Sequence, residues 1–408
     1  MTDRGVDPLT PRRAADRRAR RRAGKNVVVD GARGCGGVAV LFAVVSRNIM
    51  DEPIHTPIPA RQLGEGGQDM TTNRRTFLKA SAATAAALAM SGTNMFNLEA
   101  ATRPPFFAYY YLWWSRKHWL DSTGTNYDWT VSPLPLPAEL AECTVTNLYE
   151  GNRLLDVPAG PYGQDDAGVI EGHVALAATA MDGFAVNWAT VKSTYTPRLE
   201  RVLEAAAATP GFSIWMDYKS SATIRTLTQM QADISWLIST HGDHAAWDLR
   251  YGKPVFIMSG SRKYDSATVA EVSKAVRPWG LFIGDETYKT ITESRLSLYD
   301  GLTYYWSSQN PYSNPTSFGR IKRMGDMCHA NGKLWFAPAH PGFSTKLIGG
   351  STCIPRNDGD CFRKVYDGNA PSNPDGWAFI SWNEIAENTY IEPLTRYGAR
   401  YLDVISAR

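Results

Sequence analysis

The fold of this chain is read most clearly from Trp377-Ala378-Phe379-Ile380-Ser381-Trp382-Asn383-Glu384-Ile385-Ala386-Glu387-Asn388-Thr389-Tyr390-Ile391-Glu392-Pro393. The first six residues are a short apolar run, the pattern of a buried strand. Two carboxylates three residues apart, Glu384 and Glu387, follow at once. Such a strand delivers both to the loop at its C-terminal end, and in a barrel of parallel strands that end carries the chemistry. Paired Asp or Glu side chains commonly cleave glycosidic bonds, one protonating the leaving oxygen while the other activates a hydroxyl or attacks carbon.

Seven further runs of the same kind precede it: Phe106–Tyr111, Gly183–Trp188, Phe212–Asp217, Pro254–Met258, Gly280–Gly284, Gly301–Trp306 and Leu334–Ala339. Helical patterns separate several of them. Thr196 is expected to cap one that Pro197 starts, Leu199, Val202 and Leu203 form its apolar face, and Pro210-Gly211 stops it. Ile224, Leu227, Ile234, Leu237 and Ile238 give a second, before Gly242. Val269, Val272 and Val276 give a third, closed by Pro278, and Phe318, Ile321 and Met324 a fourth, closed by Asn331-Gly332. Eight strands alternating with helices predict an α/β chain folded as a single-domain (β/α)8 TIM barrel. No Gly-x-Gly-x-x-Gly follows the first strand, which disfavours a dinucleotide-binding sheet. The spacing is least regular over 112–182 and 340–376. Loops this long are usually functional, and both are expected to wall a substrate cleft.

Asn-Glu-x-x-Glu, then Thr389-x-Ile391-Glu392-Pro393, then Arg396-Tyr397-Gly398-x-x-Tyr401-Leu402, resembles the last strand and helix of glycoside hydrolase family 99 and the related family 71. Pro341-Gly342-Phe343, Tyr299-Asp300-Gly301, Tyr251-Gly252-Lys253-Pro254-Val255, His173-Val174-x-Leu176-Ala177, Asp182 to Trp188 and Phe107-Ala108-Tyr109-Tyr110 are similar to the same families. The resemblance runs in order over about 105–407. It implies a glycoside hydrolase that acts on an α-linked, α-mannan-like or α-1,3-glucan-like glycan without a cofactor. In family 99 the first glutamate is the base, toward the sugar's own 2-hydroxyl, and the second the acid; by resemblance these are Glu384 and Glu387. From spacing alone the pair would better suit solvated positions at the start of a helix, where carboxylates favour the dipole, and it is the resemblance that reverses this reading. The family usually has Trp after the first glutamate and Gly after the second, where this chain has Ile385 and Asn388. Glu392 is expected to be structural, capping the helix that follows.

The chain has 13 Trp and 19 Tyr. Sugar rings pack flat faces on aromatic side chains and offer hydroxyls to fixed polar groups. The candidates beside strand ends are Trp113, Trp114, His118, Trp188, Asp217, Asp285, Tyr305 and His340, with Asn383 and Tyr390 beside the glutamates. An alternative of another class is a catalytically silent carbohydrate-binding barrel at the cell surface.

Residues 1–79 hold 15 Lys/Arg against 8 Asp/Glu, and the remainder 28 against 32, so the net charge of +3 comes from the leader. Residues 1–69 read as a disordered basic extension; translation is expected to start at Met70 or Met50, with the residues upstream of that start outside the native product. Arg17 to Arg22 is basic without interleaved aromatics, which argues against nucleic acid as a partner. Asn73-Arg74-Arg75-Thr76-Phe77-Leu78-Lys79, before the alanine-rich run Ala80–Met90, marks 70–101 as a twin-arginine signal. The partners implied are the twin-arginine machinery and a polysaccharide or oligosaccharide, and the location is extracytoplasmic: secreted, periplasmic or at the cell surface. No apolar run reaches the roughly 20 residues of a membrane span, so no stable membrane insertion is expected after signal removal. The remaining 102–408 form the catalytic domain. Cys353 and Cys361 flank a turn-rich loop and are expected to form a local disulfide, leaving Cys143 and Cys328 as a second pair. His241-Gly242-Asp243-His244 and Asn357-Asp358-Gly359-Asp360 lack the spacing of a metal site, and no metal is expected. Serine hydrolase and phosphate-loop motifs are absent.

Overall fold

The computed structural model describes residues 103–408 apart from 124–142, 144–155, 157, 159–161, 221–224 and 349. The expected basic extension at 1–69 and the signal at 70–101 therefore lie outside the described residues, as does much of the excursion at 112–182. Eight parallel strands close into a barrel: β1 (Phe106–Tyr111), β2 (Gly183–Trp188), β3 (Ser213–Lys219), β4 (Val255–Ser259), β5 (Leu281–Asp285), β6 (Gly301–Thr303), β7 (Leu334–Ala339) and, after a small antiparallel pair β8 (Phe343–Ser344) and β9 (Cys353–Ile354), β10 (Gly376–Phe379), which pairs back onto β1. All eight expected runs are strands. The sixth stops at Thr303 because the Tyr305 N–H leaves the ladder and donates to Asp285 Oδ1 at 3.1 Å.

The α-helices among the described residues are α1 (Arg116–Thr123), α2 (Val169–Ala177), α3 (Thr196–Ala207), α4 (Leu227–His241), α5 (Ser266–Val276), α6 (Glu293–Leu296), α7 (Ser317–Ala330), α8 (Asp360–Asn369) and α9 (Arg400–Ser406). The four periodic segments read from the sequence are α3, α4, α5 and α7. Thr196 does not cap α3 with its side chain. Its hydroxyl accepts instead from the Trp188 indole N–H at 3.1 Å.

Side chains alternate across each strand, and this period of two sorts the core into two parts. Phe107, Tyr109, Tyr111, Ala185, Trp215, Ile257, Ile283, Phe336 and Ala378 fill the barrel interior. Phe107, Trp215 and Phe336 stack there with ring centroids 3.8 and 4.4 Å apart. The alternate residues, among them Tyr110, Phe184, Val186, Trp188, Met216 and Tyr218, pack against the helices.

At the N-terminal end of the barrel three aspartates, each just before a strand, hold the start of the neighbouring strand. Asp182 accepts from the Phe106 N–H (2.7 Å) and Arg103, Asp300 from the Phe282 N–H (2.9 Å) and Arg277, and Asp375 from the Trp335 N–H (2.8 Å), with His329 at 3.0 Å. Each carboxylate satisfies a strand-initial donor that the ladder leaves over.

The expected Cys353–Cys361 disulfide is not formed. Cys143 pairs with Cys353 across a Cα–Cα distance of 5.5 Å, within the span a disulfide can bridge. Cys361 lies in α8 with its side chain turned into the core, so it cannot face the hairpin that carries Cys353. Cys328, the other expected partner of Cys143, is a buried free thiol. The disulfide thus joins the two long excursions to each other.

Candidate active site

Glu384 and Glu387 lie in the loop after β10, at the C-terminal end of the barrel. The loop is closed by its own hydrogen bonds. The Glu384 N–H donates to Ser381 Oγ at 2.8 Å, the Thr389 N–H and hydroxyl both donate to the Glu384 carbonyl at 3.2 Å, and the Ile391 N–H donates to the Ser381 carbonyl at 2.9 Å. From outside the loop, the Ser344 N–H of β8 donates to the Glu387 carbonyl at 2.7 Å. Both glutamates are half-buried. Burial, then the charge of Glu387, pushes the Glu384 carboxyl well above the usual carboxylate range, and burial pushes Glu387 up to about 7. Lys219 pulls both down. A pair in which each charge resists the other holds one proton over the interval between its two titration steps.

Lys219 ends β3, two residues after Asp217, so strand alternation turns both toward the barrel interior. Its ammonium lies 4.7 Å from the centre of the Trp113 ring. Burial lowers the Lys219 pKa, and the charges of Glu384, Asp217 and Glu387 work against that. Asp217 is buried and accepts from Asn187 Nδ2 at 2.5 Å; burial pushes its carboxyl up to about 7. Tyr111 donates to the Tyr305 hydroxyl at 2.8 Å. Both phenols are held well above their usual pKa, by burial first, and both feel the charge of Glu384. Asp285 is committed elsewhere: it accepts from Arg262 (2.5 Å) and from the Gly260 N–H (2.8 Å).

The structure therefore brings Trp113, Asp217 and Tyr305 to the glutamates and buries several of the other candidates. Trp113 and Trp114 are consecutive and cannot both face inward. Trp113 stacks on Tyr111 at 4.2 Å, whereas Trp114 is fully buried, its indole N–H donating to the Asn383 carbonyl. Trp188 has the outward parity of Val186 and packs on Trp236 among the helices, so it is a core residue and not a sugar platform. His118 stands edge-on to Trp114, and burial lowers its pKa to about 4. His340 is fully buried, its ring nitrogens at the Gln309 and Gly342 carbonyls, and burial likewise lowers it to about 4. Asn383 bridges the N–H and C=O of Tyr111, and Tyr390 donates to Asp156; both are buried supports of the loop. Glu392 caps no helix. It accepts from Tyr162 and faces His173 at 3.3 Å in a buried polar cluster.

Lys219, Tyr111 and Asn187 did not emerge from the sequence reading. The signal was available: Tyr111 shares the parity of Phe107 and Tyr109, and Lys219 that of Trp215 and Asp217.

A closed eight-stranded barrel whose last strand ends in a desolvated carboxylate pair is an architecture for acid/base chemistry on sugars. The model of glycosyl hydrolase family 99 matches residues 107–405, and the chain belongs to that family; it is a glycoside hydrolase. A twin-arginine translocation signal matches residues 71–91, which directs the chain to export by that pathway. Among solved structures, the chain is similar to the GH99 endo-α-mannosidase of Bacteroides thetaiotaomicron, with 21% identity, a TM-score of 0.61 and coverage of 74% of this chain and 95% of that one. The same enzyme in complex with bis-tris-propane aligns with 20% identity and a TM-score of 0.59 over the same shares of the two chains. No curated protein sequence matches. Among the described residues no helix is long and apolar enough to cross a membrane.

Proposed function

We propose that this exported hydrolase cleaves an α-linked glycan of the α-mannan type, with Glu384 as base and Glu387 as acid. The carrying observation is the half-buried pair itself, in which both carboxyls sit above the usual range with the Lys219 ammonium beside them. Glu384 takes the proton from the sugar's 2-hydroxyl, whose oxygen closes on the anomeric carbon as the glycosidic bond breaks. Glu387 gives its proton to the departing oxygen. Water then opens the anhydro sugar, Glu387 taking the water's proton while Glu384 returns the first one to O2. For the reaction to begin, the proton that the pair shares must shift onto Glu387. A 2-hydroxyl that donates to Glu384 favours its charged form and supplies that shift. The α-mannan class is favoured by likeness to the endo-α-mannosidase of Bacteroides thetaiotaomicron. An α-1,3-glucan is the second substrate to try, carried by the resemblance to family 71.

Proton NMR of the purified enzyme with α-mannan and α-1,3-glucan oligosaccharides tests this. New reducing-end anomeric signals are expected from the mannan set, with the first-formed anomer retained. Broadened glycan resonances without product would instead make the chain a binding barrel.

A further inference from the structure

We infer that Arg356 is a positioning residue for the loop that carries the glutamates, and that through Asn388 and Tyr390 it sets the place of Glu387. The inference rests on the reading of Glu387 as the acid. Arg356 follows β9, far from Glu387 in sequence, and is fully buried. Its Nη2 donates to the carbonyls of Tyr390 (2.7 Å) and Asn388 (3.2 Å), and its Nε to Asn388 Oδ1 (3.1 Å). The guanidinium carbon lies 4.0, 4.5 and 4.7 Å from the ring centres of Tyr390, Tyr397 and Tyr401. A planar cation whose N–H groups are taken up by fixed acceptors and whose carbon is surrounded by three rings has little freedom to move.

Two details show that the chain is built around this contact. Gly342 lies against the arginine stem, and a Cβ there would come within 2.5 Å of Arg356 Cγ. Asn388 stands where the family pattern has glycine, and its φ of 54° explains both choices, since Asn tolerates the left-handed region better than other side chains. Only Asn adds an acceptor that the guanidinium can use. Glu387 is therefore bracketed from outside its loop, its own carbonyl by Ser344 and the next residue by Arg356. Glu384 is held from within, by Ser381 and Thr389. Disturbing Arg356 should displace the acid more than the base.

Leaving-group dependence separates this role from a merely structural one. Fluoride departs without a proton, so α-mannobiosyl fluoride needs no acid, whereas an α-mannan oligosaccharide does. Arg356→Met is expected to lower kcat on the oligosaccharide about 100-fold, the cost of roughly an ångström of misplacement. KM on the oligosaccharide should stay within about 3-fold, and the loss in kcat/KM on the fluoride, which reports bond cleavage before Glu387 acts as base toward water, should stay below about 5-fold, as befits an interaction made in the transition state for acid-assisted departure. Asn388→Gly keeps a residue suited to the positive φ but removes the side-chain acceptor; it should show the same selectivity at smaller size, and it carries the test if Arg356→Met does not fold. Equal loss on both substrates overturns the inference. Carbon-13 titration of the glutamate carboxyls gives a readout without turnover: the Glu387 curve should move in both variants and that of Glu384 less. An unmoved Glu387 curve overturns the inference even if the enzyme cleaves neither substrate, an outcome that would count against the proposed function instead.

Discussion

The two ends of the barrel use carboxylates in opposite ways. At the N-terminal end Asp182, Asp300 and Asp375 each accept a strand-initial N–H and face a cation or histidine. At the C-terminal end Asp217, Glu384 and Glu387 are desolvated, raised in pKa, and share one lysine that pairs closely with none of them. A carboxylate that accepts a strand-initial N–H and faces a cation acts as a staple, while one raised by burial keeps its proton toward neutrality and can pass it on. The carboxyl group is the same; burial and the charges around it decide the role.

The sharpest break in that contrast is at the pair itself. Glu384→Gln and Glu387→Gln should each lower kcat by about 10³-fold or more on a natural glycan, with thermal stability unchanged or raised; steady-state kinetics beside calorimetry checks this. Asp217→Asn should be a stabilising change at neutral pH. The folded carboxyl titrates at about 7 and the unfolded one at about 3.9, so the folded state binds the extra proton between those values. Wild-type stability from this group is present below about pH 4 and is lost as pH rises toward about 7. The variant should flatten that slope, by on the order of a few kcal/mol at most across denaturant melts. At the opposite end the sign reverses: Asp375→Ala leaves the Trp335 N–H without its acceptor and should cost about 1–3 kcal/mol, with kcat of the folded enzyme unchanged. The smallest effect is expected from Lys219→Met. Removing the cation makes both glutamates harder to ionise, so each limb of the kcat/KM profile should move to higher pH. A limb that stays or moves down would mean that Lys219 does not act on the pair.

Much of the barrel was legible because strands buried on both faces write themselves as short apolar runs, and the helices between them as periodic ones. The glutamates were legible because they follow the last strand directly. The supporting aromatics were not separable by type alone. Trp113 and Trp114 are equal as symbols, and only the alternation of β1 carried into its loop sends one toward Lys219 and the other beneath Asn383. Trp188 was misplaced for the same reason, although the parity of Phe184 and Val186 already pointed outward. The disulfide was misread because nearness in sequence stood in for direction: α8 turns Cys361 into the core, while β9 carries Cys353 to Cys143.

What the sequence determined by itself was local and periodic: eight strands, the helices that cover them, an export signal, and two carboxylates at the mouth of a barrel. The tertiary structure alone decided what surrounds each of those carboxylates. The pKa of a side chain, and whether a tryptophan is a wall or a core residue, depend on groups brought from strands far apart in the chain. Glu387 meets Lys219, Ser344 and the arginine that grips its neighbour only when the barrel has closed.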